Sequence, residues 1–391
     1  MKRAVVIGGN HHNTLGLIRS LGKEGISSFV ILINKVQENC YVLKSQYVSG
    51  SAIVEGEEDL IELLRRIKIS QKKQVLICTS DRAASIIDKN RKVLENDYYL
   101  PGCSIEGRLT EYMDKEKMAE LAKQVGLRTP YNLTLERNDT NLEGVVYPCI
   151  IKPSKSIDGS KMDIAICQNI TELQDHIKKC KANNLRVEEF ISKTEEYQLI
   201  GVAVGGGIII PGKSIIISQP IFTNTGFLKY IPLDGSEPIE QCHQFISEVG
   251  YEGLFSMEFI RDGNGNDYFM EINFRNDGNS ICVTESGCNL PYIWYAYNET
   301  EEGREISSLI PQSVRPLYVM PEYDEINLWY SNRITFFRML KELRLAHVFM
   351  EYDKNDPTPT NGRMDFVAKL SKALIKKPIK SLLIALSIKK K

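Results

Sequence analysis

Two glutamates, an asparagine and an arginine stand within Ser256–Ser280, SMEFIRDGNGNDYFMEINFRNDGNS. Glu258, Glu271 and Asn273 offer two carboxylates and an amide oxygen, a hard oxygen-donor set of the type that holds magnesium beside nucleotide phosphates. Arg275, two residues further on, could neutralise a transferring phosphate in bidentate fashion. The chemistry such a set performs is phosphoryl transfer. The plainer account is a surface hairpin whose glutamates face water, because acidic hairpins are common.

Two strands and a tight turn must position these groups. Ser256–Ile260 and Asp267–Asn273 are rich in Phe, Ile, Met and Tyr, which suit a pleated, half-buried surface. Between them, Asp262-Gly263-Asn264-Gly265-Asn266 is dense in residues that tolerate positive φ. Side chains alternate by face along a strand, so Glu258 goes with Ser256 and Ile260, and Glu271 with Asn273 and Arg275. A hairpin therefore can bring Glu258, Glu271 and Asn273 together, with Arg275 just beyond.

The whole chain sets the frame. Its 391 residues, 42% hydrophobic and 25% charged, match ordinary globular composition and predict two or three domains. A formal net charge of -1 gives no reason to expect nucleic acid. Nine cysteines, without a CxxC pair and odd in number, argue against a disulfide framework and for a reducing cytoplasm. No signal peptide is expected, since Met1-Lys2-Arg3 leads into only a short apolar run. No segment is long enough to span a bilayer.

The first hundred residues read as alternating strands and helices. Strands are expected at Ala4–Ile7, Ser28–Ile33 and Gln74–Thr79. A helix follows the first, with Thr14 as N-cap and Leu15, Ile18 and Leu21 inward, and another covers Leu60–Ile67. Such alternation implies a parallel, doubly wound sheet, with ligands at the carboxyl ends of its strands. Gly9–Asn13 and Ser80–Arg82 are therefore site candidates. Adjacent histidines in an extended segment point to opposite faces, so His11-His12 predicts a polar loop touching substrate rather than a metal site. Gly8-Gly9 is not a dinucleotide-binding fingerprint.

From Thr110 the character changes. Asp114-Lys115 opens a helix that runs to Gly126. Tyr147–Lys152, YPCIIK, is a strand carrying a lysine into Pro153, and Ser154–Lys161 is a polar loop whose Gly159 and Ser160 could offer N–H groups to phosphate. A snorkelling strand-end lysine is the alternative for Lys152. Arg186–Ile191, RVEEFI, is a further strand, followed by Glu195-Glu196-Tyr197 and a glycine-rich hairpin at Gly205–Gly207. The aromatic run Tyr292–Tyr297 reads either as an acceptor-pocket wall or as a buried helix start. Phe222–Asp234 could close over substrate.

Taken in order, Asp114-Lys115, YPCIIKP, the small Gly/Ser loop, VEEFI with a later Glu-Tyr, and MEF…MEINFR resemble the ATP-grasp superfamily, specifically its carboxylate–amine ligases. The resemblance covers about Met1 to Tyr297. Arg19-Ser20-Leu21-Gly22 and EINFRNDG look closest to the D-aspartate-ligase-like branch, alongside proteins like the carbamoyl-phosphate-synthase large chain. The resemblance implies an α/β chain with the ATP-grasp fold. A doubly wound parallel-sheet domain would occupy residues 1–109, an α+β lid 110–191, and an antiparallel-sheet domain with the metal hairpin 192–300. A C-terminal extension would follow over 301–362 and a basic tail over 363–391.

The same resemblance implies roles. Lys115 and Lys152 would contact ATP phosphates and the adenine pocket, and Ser160 the phosphates. Glu188, Glu189, Phe190 and Ile191 would form the edge that pairs with adenine. Glu196, or Glu195 one residue earlier, would bind ribose. Glu258, Glu271 and Asn273 would hold two Mg2+ ions, for which Mn2+ could substitute, and Arg275 would touch the transferred phosphate. Departures are an Asp-Gly-Ser-Lys-Met phosphate loop and Phe274 where many relatives carry proline. The implied reaction joins a small-molecule carboxylate to an amine through an acyl phosphate, in cell-wall or surface-polysaccharide precursor metabolism. Two rivals are carboxylation through carboxyphosphate, disfavoured by the lack of a Met-Lys-Met biotin-carrier signature, and a non-catalytic ATP-binding regulator.

The end of the chain differs. Asp356–Gly362, DPTPTNG, reads as a linker. Beyond it, Asp365–Lys391 carries eight lysines and one acid around Phe366, Leu370 and Leu374. This fits a basic amphipathic segment on an anionic membrane surface, or a docked helix with solvated lysines.

Overall fold

A computed structural model describes residues 2–34, 40–67, 72–137, 142–153, 164–218, 226–299 and 306–360, with residues 368, 371, 372 and 376 beyond them. The chain forms two compact units, one comprising Met1–Met118, Tyr197–Glu258 and Glu271–Lys391, the other Ala119–Glu196 and Phe259–Met270.

The first unit opens with β1 (Arg3–Gly8), α1 (His12–Lys23), β2 (Ser27–Ile33), β3 (Val48–Val54), α2 (Glu57–Arg66), β4 (Gln74–Cys78), α3 (Asp81–Lys89) and β5 (Tyr98–Tyr99). The strands form a parallel sheet in the order β3-β2-β1-β4-β5. Continuous apolar runs are what a parallel sheet covered on both faces demands. Ala4 and Val6 of β1 and Val75 and Ile77 of β4 enter one core with Leu15, Ile18 and Leu21 of α1. The strand order reverses at β1 and β4, which makes the carboxyl ends of these two strands the natural ligand crevice. Gly8 closes β1 there, since a Cβ on it would fall 1.7 Å from Thr79 Oγ1.

Two local expectations change. Thr14 does not cap α1. His11 does, its ring accepting from Asn13 N, while Thr14 Oγ1 turns to Gly9 O at 2.8 Å and Thr79 Oγ1 at 2.7 Å. β3, VSGSAIV, carries too little apolar alternation to announce itself. Gly50 within it lies under the Phe29 ring, where a Cβ would come within 2.8 Å.

The remaining strands of the first unit belong to a larger sheet. Its main path runs Asp267–Asn273, Tyr251–Asp262, Lys193–Val204, Lys213–Ile216, Leu228–Ile231, Leu317–Met320 and Val348–Phe349. Lys193–Val204 and Gly207–Ile209 form the expected glycine-linked hairpin. The C-terminal extension adds Leu317–Met320, antiparallel to Leu228–Ile231, and Val348–Phe349, parallel to Leu317–Met320. Between these two strands lie the helices Glu322–Tyr330 and Phe336–Leu345. The helix Leu290–Glu299 buries Ile293, Trp294 and Tyr295 in the core, and Trp294 Nε1 donates to Leu76 O at 3.2 Å. The aromatic run is thus core, not pocket wall.

Asp356–Gly362 is also corrected in its described part. Asp356 is fully buried and receives Arg19 Nε at 3.0 Å, Ser45 Oγ at 2.8 Å and Gln46 N at 3.0 Å. Turn-rich composition marks a change of direction, and here the change seats a buried carboxylate against α1.

The second unit is α+β. Its antiparallel sheet runs Asn132–Glu136, Asn184–Glu189, Cys149–Pro153, Ala165–Cys167. Leu135, Cys149, Ile151, Leu185 and Val187 pack with Leu173 and Ile177 of the helix Ile170–Lys179 in a core of their own. The phosphate-loop candidates Ser154–Lys161 lie outside the described residues, as does most of Asp365–Lys391 and the 222–225 part of Phe222–Asp234. All nine cysteines are free thiols, eight of them buried. Among the described residues, no helix is long and apolar enough to cross a membrane.

Candidate functional site

The hairpin forms where alternation predicts it, with Asp267–Asn273 as its second strand. Its turn is held by Asp262, whose Oδ1 accepts Asn264 N at 2.8 Å and Asn266 N at 2.9 Å. In the first unit, Asn273 Nδ2 donates to Glu258 Oε1 at 3.2 Å, joining the two strands through the predicted pair. Asn273 Oδ1 accepts from Arg275 Nη2 at 2.8 Å. Glu271 lies one alternation earlier, 3.5 Å from Lys115 Nζ. The structure therefore brings together Glu258, Asn273 and Arg275, and separately Glu271 and Lys115.

Arg275 also reaches Asp81 Oδ1 at 3.1 Å and Asp277 Oδ2 at 3.4 Å. Burial works against its charge, but Asp277, Asp81 and Glu258 outweigh that and raise its pKa above the usual arginine value. The guanidinium is thus a fixed cation beside the carboxylate set. Its loop is tied to the parallel sheet: Asn276 N donates to Cys78 O at 3.0 Å, and Asn13 bridges Thr79 O and Asn276 O.

These groups border a cavity of about 580 Å3 wholly within the first unit, at the carboxyl ends of β1 and β4. His11, His12 and Asn13, together with Ser80 and Asp81, line it, as the strand-end rule predicts. Arg82 instead donates to Glu55 O. The histidines do not diverge, because they start a helix rather than extend a strand, and their rings lie 3.8 Å apart. Burial, reinforced by His11, pushes the His12 pKa down to about 3, so the ring is neutral at physiological pH.

Several lining groups escape sequence reading. Gln198 donates to Glu258 Oε1 at 3.1 Å, Asp277 accepts from Ser256 Oγ at 3.0 Å, and Asn279 is buried beside them. The polar run Asn276-Asp277-Gly278-Asn279 directly after the second strand is the signal that points to two of them. Asp324 and Glu351 come from the C-terminal extension, where nothing in the sequence marks them.

Within the second unit, Lys152 Nζ donates to Glu188 Oε2 at 2.6 Å, and Arg186 Nε approaches Glu188 Oε1. Burial favours the neutral acid, yet Lys152 and Arg186 together hold the Glu188 pKa below the usual carboxylate value. Glu189 N donates to Tyr131 O at 2.7 Å and Phe190 N to Pro148 O at 2.9 Å, fixing the edge that ends at Ile191. Glu196 pairs with Lys193, and Glu195 lies 3.9 Å from Arg261 Nη1.

The donor chemistry can be tested against magnesium. Among the described residues, no three His, Cys, Asp or Glu side chains gather into an all-protein metal site. Magnesium bound with a nucleotide needs only one or two carboxylates, with phosphate oxygens completing its shell. Glu258, hydrogen-bonded to the Asn273 amide, offers one such carboxylate, while Glu271 stands apart beside Lys115.

The parallel-sheet domain, the separate α+β unit and the carboxylate hairpin give the chain an ATP-grasp fold. No family model matches the chain. In sequence it is similar to the D-alanine–D-alanine ligase of Campylobacter jejuni, 28% identical over 158 residues, which cover 38% of this chain and 45% of that enzyme. The match thus spans less than half of that relative's length. In fold it is similar to N5-carboxyaminoimidazole synthetase from Staphylococcus aureus, with a TM-score of 0.63 at 18% identity over 85% of this chain and 86% of that one. It is also similar to L-amino acid ligase from Bacillus licheniformis, with a TM-score of 0.61 at 16% identity over 81% and 79% of the two chains.

Proposed function

We propose that the chain is an ATP-dependent carboxylate–amine ligase. A substrate carboxylate attacks the γ-phosphorus of ATP, releasing ADP and forming an acyl phosphate. An amine then attacks the acyl carbon, phosphate leaves with the C–O bonding pair, and an amide remains. The observation that carries this reading is the pair Glu258 and Arg275, linked through Asn273, at the wall of the 580 Å3 cavity, where a phosphate and a small acid could meet.

Glu258, Glu271 and Asn273 would hold two Mg2+ ions, replaceable by Mn2+, which when bound would neutralise charge on the transferring phosphate. Arg275 touches that phosphate, its guanidinium held in register by Asp81 and Asp277. Lys115, Lys152 and Ser160 serve the nucleotide phosphates. The edge Glu188–Ile191 takes adenine. Glu196 takes ribose in preference to Glu195, whose carboxylate faces Arg261. The protein's part is positioning and charge stabilisation, which suffices for phosphoryl transfer. Precursors of the cell wall or surface polysaccharide are the substrate setting we favour.

ADP release across a panel of amino acids and sugar acids tests the reading. Hydroxylamine added with MgATP and the active acid should yield a hydroxamate, and oxygen from the carboxylate should appear in the released phosphate. Amide formation without that oxygen transfer would refute the acyl phosphate.

For the tail, we propose that Asp365–Lys391 holds the chain at an anionic membrane surface, each lysine contributing about 1 kcal/mol there. Liposome sedimentation of the full chain against one ending at Gly362 tests this. Salt-sensitive binding should be lost on truncation, and equal absence of binding would refute it.

A further inference from the structure

The helix Phe336–Leu345 in the C-terminal extension has one face in the fold and one in solvent. Inward, Met339 packs with Ile326 and Trp329 of the helix Glu322–Tyr330, and Glu342 is buried beside Glu325. Outward, Phe337 is 82% exposed, the most of any large apolar side chain among the described residues, and Leu340 is 42% exposed. Residues three, four and seven apart share a helix face, so Lys341 and Arg344 stand with Phe337 and Leu340. A single exposed apolar residue needs no explanation; what marks this face is the charge around it.

Arg333, Lys341 and Arg344 have no ion-pair partner among the described residues. Arg338, at the margin, is answered by Glu342 at 2.9 Å. No exposed acid occurs from Ser331 to His347. The acids of the adjoining helix turn elsewhere. Glu322 receives the backbone N–H groups of Glu351 and Tyr352, Glu325 is buried, and Asp324 lines the cavity beside Arg275. In a chain whose net charge is only -1, an aromatic ring and a leucine are thus set among cations. A second copy is a poor occupant, because a two-fold contact would place these cations against themselves. Asp365–Lys391, with eight lysines and one acid, carries the same sign and is no better matched.

We propose that this helix face docks on an anionic lipid bilayer. Phe337 and Leu340 enter the headgroup boundary, and Arg333, Lys341 and Arg344 meet the lipid phosphates. The site is separate from the tail Asp365–Lys391 and does not depend on the ligase reading.

The test uses the full chain and vesicles of phosphatidylcholine, with or without an equal part of phosphatidylglycerol. Phe337→Trp should be quenched by brominated lipid in the anionic vesicles only, whereas the parent, whose Trp294 and Trp329 are buried, should not be. In vesicle sedimentation, Phe337→Ser should lower the partition coefficient about tenfold. Lys341→Gln combined with Arg344→Gln should lower it about ten- to thirty-fold. The melting temperature should not move, because all three side chains already lie in water. The proposal is overturned if the full chain does not bind anionic vesicles, if Phe337→Trp is quenched no more than the parent, or if Phe337→Ser binds as the parent does. Binding lost on truncation at Gly362 but untouched by Phe337→Ser would keep the tail and reject this face; the reverse would keep this face and reject the tail. A dimer in sedimentation velocity that Phe337→Ser dissolves would reassign the face to a second copy.

Discussion

Asn13 and Asn276 hold each other across 263 residues of sequence: Asn13 Nδ2 donates to Asn276 O at 2.8 Å, and Asn276 Nδ2 donates to Asn13 Oδ1 at 2.6 Å. Both are buried, and Asn13 also donates to Thr79 O at 2.9 Å. One side chain thus ties the end of the parallel sheet to the loop carrying Arg275.

Asn13→Ala should therefore act on stability and turnover together. It leaves the buried Thr79 carbonyl without its side-chain donor, at a cost of about 1–3 kcal/mol. Urea unfolding should show a loss in that range, and ADP release should fall because Arg275 is no longer held in register. A variant as stable and as active as the parent would refute this.

Glu271→Gln should separate the two effects. Its ion pair with Lys115, at 3.5 Å, involves a side chain 55% exposed, and such a pair adds little to stability. The melting temperature should stay put while ADP release drops by several orders of magnitude, as removal of a metal-holding charge predicts. Turnover at the parental rate would remove Glu271 from the metal set.

Lys152→Ala should weaken ATP binding by calorimetry and change the acid stability of the protein. The folded pKa of Glu188 lies below its unfolded value, burial being outweighed by Lys152 and Arg186. Its stabilising contribution is therefore complete above the unfolded pKa, about 4.5, and is lost as pH falls through the lower folded value. Removing Lys152 should shrink the difference in melting temperature between pH 6 and pH 3. Unchanged ATP affinity would leave Lys152 as a structural partner of Glu188 alone.

Glu325 predicts the opposite sign. Burial, then a hydrogen bond and like charge from Glu342, raise its pKa far above the carboxylate range, so it stays protonated when folded at neutral pH. The unfolded chain releases that proton above about pH 4.5, so stability declines as pH rises toward the folded value, at up to about 1.4 kcal/mol per pH unit. Glu325→Gln imitates the protonated acid and should flatten this slope in urea unfolding between pH 6 and pH 8. An unaltered slope would show that Glu325 is ionised.

Much of the architecture was determined locally. The apolar runs of β1, β2 and β4 and the helical stripe of α1 read directly, because burial on both sheet faces leaves no room for polar alternation. The hairpin read equally well, since a period of two and a glycine-rich turn decide which side chains share a face. Glu258, Asn273 and Arg275 meet for that reason.

What sequence alone left undecided depends on distant segments. The joining of Asn13 to Asn276, of Arg275 to Asp81 and of Arg19 to Asp356 follows from strand order and packing, which no local pattern encodes. His11 and His12 changed character when the extended segment proved to be a helix start. Asp324 and Glu351 reach the cavity because the C-terminal extension adds strands to the sheet already formed by the middle of the chain. Periodicity reports which face of an element is buried, but only the assembled fold decides what that face meets.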